Sequence, residues 1–179
     1  MMATTELQAR ADAALTTEVI AHLEAQLVAA RRLLQVVLEQ GVAIRNRDVK
    51  GVVALTGVLG AELHHRRQLE TERIALLERA GARLGVAGAS VTMAMLEPLM
   101  EPEAALLAGA RSAELRGLLE VVQREHHVNR ALMSQELAFL DHLLKLAGIA
   151  GDESYDAGGD RHATTAAQTT GHRVFDLEV

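Results

Sequence analysis

Through three long stretches of the sequence, apolar residues recur at alternating intervals of three and four, and this periodicity constrains the fold more than any other feature. In the first stretch Ile20, Leu23, Leu27, Ala30, Leu34, Val37, Gly41 and Ile44 fall on one side of a helix, leaving Glu24, Arg31, Arg32 and Glu39 for solvent. A hydroxyl of Thr16 or Thr17 is the expected cap at its start, because it accepts from a backbone amide that has no partner within the first turn. Asn46, Arg47 and Asp48 form a short turn, with Asp48 placed to cap the next helix. That second helix presents Val52, Leu55, Leu59, Leu63, Leu69, Ile74 and Leu77. Its first half is weakened by Gly51, Gly57 and Gly60, each costing up to about 1 kcal/mol relative to Ala. Gly81, Gly85 and Gly88 end it.

A connector follows, in which Ser90 is the expected cap of a short helix from Val91 to Leu96. Pro98 and Pro102 donate no backbone hydrogen bond, so the chain breaks there before the last helix, predicted from about Pro102 to Ala147. This last helix carries two apolar stripes. One is Leu115, Leu119, Val122, His126, Asn129, Met133, Leu137, Leu140 and Leu144; the other is Leu118, Val121, Val128, Leu132, Phe139, Leu143 and Leu146. Two stripes exceed what a single neighbouring helix covers, and apolar surface left open marks a docking site.

The expected architecture is therefore all-α: an antiparallel bundle of three long helices plus a short connector helix, over residues 16–147. Residues 1–15 are a lead-in. From Gly148 to Val179 helical spacing disappears and Gly, Asp, Thr, Ala and Ser dominate. Such a tail has too little apolar surface to offset its ordering entropy and is expected to be disordered.

Composition narrows the chemistry. Apolar residues make up 49% of the chain but aromatics only 2%, namely Phe139, Tyr155 and Phe175, which suits helix packing and not a sandwich or an aromatic-lined pocket. With no Cys there is no disulfide framework and no thiolate nucleophile. No secretory signal is visible at the N-terminus, and no stretch is long and apolar enough to span a membrane. The net charge of −6 is uneven: the tail, 148–179, holds six acids against two arginines, while the body is nearly neutral. A neutral body without a basic stripe points away from nucleic acid and toward a protein partner.

Eight histidines raise the question of a metal. Adjacent pairs occur at His64-His65 and His126-His127, and Glu62 with His65 makes one Glu-x-x-His. A di-iron bundle needs two such pairs, but Gln123 and Arg124 stand three positions before His126 and His127. No metal and no cofactor are expected. His126 and Asn129 interrupt an apolar seam, where polar residues more often set register than touch a ligand. Ser90, Ser112, Ser134 and Ser154 lack a nucleophile-elbow context, and no phosphate-cradling glycine motif is present, so the chain is not expected to be an enzyme. Tyr155, the only tyrosine, lies eight residues past the last helix, where a solitary aromatic suits the role of an anchor in a partner's groove as well as it suits chance.

The C-terminal half carries an ordered series of motifs: Leu115-Arg116-Gly117-Leu118-Leu119, Asn129-Arg130-Ala131-Leu132, Leu137-Ala138-Phe139-Leu140, Leu143-Leu144, and Ser154-Tyr155-Asp156-Ala157-Gly158-Gly159. In that order and spacing it resembles the FlgN-type flagellar export chaperones, and Asp48, Leu55, Glu70, Glu72, Arg73, Leu76 and Leu77 fit the second helix of that family. The resemblance spans roughly residues 18–159. It departs at His126, where the family commonly has Asn, at the glycines of the second helix, and in residues 160–179, which extend beyond the pattern. The resemblance implies a cytoplasmic type III export chaperone that binds the terminal helices of hook-associated (hook–filament junction) proteins, prevents their self-association and delivers them to the flagellar export gate. The client surface expected on the last helix is Leu118, Val122, Asn129, Leu132, Phe139 and Leu143. Gate contact is expected from Tyr155 and Asp156. The residues alone also admit a self-assembling coiled-coil scaffold and, more remotely, a metal-binding helical bundle; monomer and dimer both stay open.

Overall fold

The computed structural model describes residues 2–147, with side chains from Glu6 onward, and within them all regular structure is helical. Four helices are present: α1 (Met2–Arg45), α2 (Val49–Leu84), α3 (Met93–Leu96) and α4 (Pro102–Leu146). Single 3-10 turns at Gly88–Ser90 and Glu97–Leu99 flank α3. The chain divides into two units, Met1–Gln135 and a second that begins at Glu136, whose described part is the end of α4.

Helix α1 starts well before the apolar seam does. Thr16 and Thr17 do not cap it; their hydroxyls donate to the carbonyls of Asp12 (2.8 Å) and Ala13 (2.9 Å), as they do inside a helix. Residues 6–11 are exposed, so apolar periodicity is silent there. Strong helix formers such as Leu7, Gln8, Ala9, Arg10 and Ala11 keep the backbone helical. Asp12 then ties this segment to α2 by accepting from Arg83 Nε at 2.8 Å.

The turn between α1 and α2 follows the sequence expectation. Arg47 takes a left-handed conformation (φ 56°), and the Asp48 side chain accepts from Gly51 N at 2.9 Å. At the other end Gly85 is left-handed (φ 71°) and its amide donates to the Gly81 carbonyl, which closes α2. In the connector, Ser90 ends a 3-10 turn and caps nothing; Thr92 holds the N-cap position of α3, without a side-chain hydrogen bond. The connector is nonetheless part of the core, because Val91 and Leu96 are buried with Val19, Leu76 and Ala80. Pro102 opens α4, where its missing N–H costs nothing.

Partners along α1 give the directions of its neighbours within the first unit. Asp12 meets Arg83, Glu18 meets Arg79, Val19 clusters with Leu76 and Ala80, and Gln40 donates to Thr56 at 3.3 Å, so α2 runs opposite to α1. Glu24 meets Arg111, Leu27 and Ala30 cluster with Leu115, and Val37 clusters with Val122, so α4 runs in the same direction as α1. Lying between two neighbours, α1 buries more than its single expected seam. Val19, Ala29, Leu33, Val36, Gln40 and Ala43 are buried in addition to Leu27, Ala30, Val37, Gly41 and Ile44.

Candidate functional site

A helix with more apolar surface than its neighbour covers is the feature to locate, and α4 has it. In the first unit α4 buries Ala108, Leu115, Val122 and Asn129, spaced by seven residues. Seven residues bring a helix almost back to the same azimuth, so these four make one narrow seam against α1. Leu118, Leu119, Val121 and Leu132 flank it half-buried, and Val128 and Met133 are exposed.

The seam is pinned by a polar contact. Asn129 is 3% exposed, and its side-chain amide donates to the Val37 carbonyl of α1 at 2.7 Å. It fits because residue 41 is glycine: a Cβ on Gly41 would stand 2.5 Å from Asn129 Oδ1. One turn earlier His126 is half-buried, and burial, followed by the charges of His127 and Arg130, holds its imidazole below the ordinary value of 6.5. Farther along the same interface Arg31 of α1 and Arg111 of α4 both reach Glu114, and Arg111 Nε lies 2.6 Å from Glu24 Oε1. These guanidiniums, Arg31 first, hold the Glu114 carboxyl below its usual range.

The second unit begins where α4 changes character. Leu137 is 67% exposed and Phe139 50%, and Leu140, Leu143, Leu144 and Leu146 are exposed with them. At 100° per residue these six side chains fill one half of the helix circumference, interrupted only by Glu136. Asp141, His142 and Lys145 occupy the other half, with Lys145 Nζ 2.7 Å from Asp141 Oδ2. At this end of α4 both stripes are therefore open, including Leu137, Leu140 and Leu144 of the one that is covered nearer the N-terminus. The half-and-half pattern of residues 136–146 was the sequence signal that would have grouped them.

The expected client residues are thus sorted by depth. Val122 and Asn129 face α1 and are not offered to a partner in this conformation. Leu118 and Leu132 are half-buried, and Phe139 and Leu143 are open. Tyr155 and Asp156 lie outside the described residues. Near the α1–α2 turn Leu38 and Val42 of α1 and Val49 and Val53 of α2 are also exposed, and Val42 lines a shallow cleft with Ala43, Asp48, Gly51 and Leu55.

His64 and His65 are exposed on α2, and among the described residues no three His, Asp or Glu side chains are grouped to hold a metal ion. No described helix is long and apolar enough to cross a membrane. Neither a curated protein nor a solved structure matches the chain. A family model does: the one described as FlgN protein matches residues 14–162.

Proposed function

The chain belongs to the FlgN family of flagellar chaperones, and on that basis we propose that it carries hook-associated proteins to the export gate. In this reading the three long helices act as one antiparallel bundle. Its client is the amphipathic terminal helix of an unassembled junction protein, held by the end of α4. The single observation that carries the reading is the exposed half-cylinder Leu137, Phe139, Leu140, Leu143, Leu144 and Leu146. A client helix that lays its own apolar stripe there removes both surfaces from water, which prevents the client from associating with its copies.

The energetics suit a carrier that must let go. Three or four side chains at about 1.5–3 kcal/mol each, less the cost of ordering two helices, leave affinities in the micromolar to nanomolar range. Leu118, Val122, Asn129 and Leu132 of the first unit are the further residues assigned to the client in this reading. Tyr155 and Asp156 are assigned to the gate, where a lone aromatic in an acidic segment provides an anchor. The site of action is the cytoplasm, where clients are made.

Co-expression with each hook-associated protein tests the reading. A soluble stoichiometric complex is expected. Aggregation of the clients regardless of this chain, together with homo-oligomers of the chain indifferent to them, would favour a scaffold instead.

A further inference from the structure

The open half of α4 between Glu136 and Leu146 is not uniformly apolar. At about 100° per residue Glu136 stands ~20° from Leu143 and ~40° from Leu140, well inside the arc that runs from Leu146 to Leu137. By sequence count it also continues the series of seven through Ala108, Leu115, Val122 and Asn129, and Leu143 comes next. Asp141, His142 and Lys145 fall on the opposite half, so Glu136 is the one ionisable residue of 136–146 within the apolar arc. It is half-buried. Capture of a client by apolar contact alone gives no reason for a carboxylate at this place.

We propose that Glu136 selects the client: the helix that docks on this face carries a Lys or Arg at one end of its apolar stripe, where it meets the Glu136 carboxylate. This rests on the reading of the face as the client site and adds the chemistry of the partner. A docked helix takes the carboxylate out of its remaining water. Glu136 already interacts within the chain, but an ionised carboxylate accepts at about four sites, so what it holds there need not be all that it holds in a complex. An apolar residue set over it incurs the cost of lost hydration, and an acidic one adds repulsion. An ammonium or guanidinium instead forms a charge-assisted hydrogen bond in a drier environment. Placement gives the position of the base. Glu136 stands at the N-terminal end of the face, so its counterpart stands at an end of the client's stripe. In an antiparallel pair that is the client's last turn, where a cation also suits the helix dipole. The same residue argues against a second copy as the occupant. Another α4 would bring the same six apolar side chains and a second Glu136, while its Lys145 is on the far half, 2.7 Å from Asp141. Two copies face to face would cover two carboxylates and supply a cation to neither.

Synthetic helical peptides of about eighteen residues, five turns, test the selection. All share one leucine stripe and one net charge, and they differ only at the two ends of the stripe, which hold Lys in one peptide and Glu in the other. Either direction of docking then brings an end residue to Glu136. Binding is measured by fluorescence anisotropy to the full chain, to Glu136→Gln and to Phe139→Asp, with helicity of each protein checked by circular dichroism. The expected result is that wild type binds the Lys peptide tighter than the Glu peptide by about tenfold or more, and that Glu136→Gln brings the two affinities to within about twofold. Equal affinities that are both lost in Phe139→Asp would overturn the selection and leave the face as the client site. A preference that survives Glu136→Gln would likewise overturn it. Failure of both peptides to bind wild type, or binding indifferent to Phe139→Asp, would overturn the client site and the selection together. Sedimentation velocity supplies the last arm: self-association of wild type that Phe139→Asp abolishes would assign the face to a second copy.

Discussion

At the scale of single residues the interface between α1 and α4 turns on Gly41 and Asn129. Gly in mid-helix costs about 1 kcal/mol relative to Ala, so its presence needs a reason, and the reason is the Asn129 side chain lying over it. Gly41→Ala should destabilise the protein by about 1–3 kcal/mol, because the overpacking outweighs the gain in helix propensity. In an Asn129→Ala background the obstruction is gone, and the same Gly41→Ala should become stabilising by up to about 1 kcal/mol. Urea denaturation of the four proteins measures this change of sign, and additive effects would mean that the two residues are not in contact. The histidines predict a pH dependence. His22 and His126 are both held below 6.5 mainly by burial, so the unfolded chain takes up protons first as the pH falls. Their contribution is complete above 6.5 and is lost as the pH drops toward their folded values. Between pH 7.5 and 5.5 the melting temperature should fall, and the fall should shrink in His126→Gln. A slope identical in wild type and variant would exclude His126 as a source.

Among the elements, the helices were legible in proportion to what they bury. Apolar periodicity placed the body of α1, most of α2 and α4 from Leu115 onward, and Pro98 and Pro102 marked where α4 begins. It could not see the first turns of α1, where residues 6–11 are exposed and local propensity alone holds the helix. The caps divided on the same ground: Asp48 acts locally and was readable, Gly85 was one of three glycines expected to end α2, and Ser90 depended on where the connector docks against Val19 and Leu76. The open apolar face of α4 was half legible. Both stripes of α4 were visible as patterns, but which one α1 would cover, and how far along, depends on the breadth of α1's own buried face. The outcome is a helix closed at Leu115, Val122 and Asn129 and open from Leu137 onward. A charge in the open part therefore costs little folding energy and, under the proposed function, much binding. Phe139→Asp should leave thermal stability within about 0.5 kcal/mol of wild type. It should weaken client-helix affinity by about tenfold or more, the scale of a lost aromatic anchor. Isothermal titration with a folded variant checks this, and unchanged affinity would move the client site elsewhere.

For the whole molecule, the distribution of aromatic residues separates two tasks. The first unit, through Gln135, contains no Phe, Tyr or Trp and is held by Leu, Val and Ala packing and by interhelical ion pairs. All three aromatics fall in the remainder, Phe139 on the open face of α4 and Tyr155 and Phe175 beyond it. Aromatic side chains supply large contact area at low entropic cost, which is why they dominate binding hot spots. A chain that needs none for the core of its first unit and keeps every one for its last quarter leaves them available for recognition under the proposed function. Under the proposed function Tyr155 then serves delivery alone. Tyr155→Ala should leave the melting temperature and client affinity at their wild-type values, because in this reading the residue is assigned to the gate and not to the client. Binding of the chaperone–client complex to the purified cytoplasmic part of the export gate should weaken by about tenfold or more. Gate binding that is equal for wild type and variant would remove Tyr155 from this role, while a parallel loss of client affinity would show that recognition and delivery share one surface.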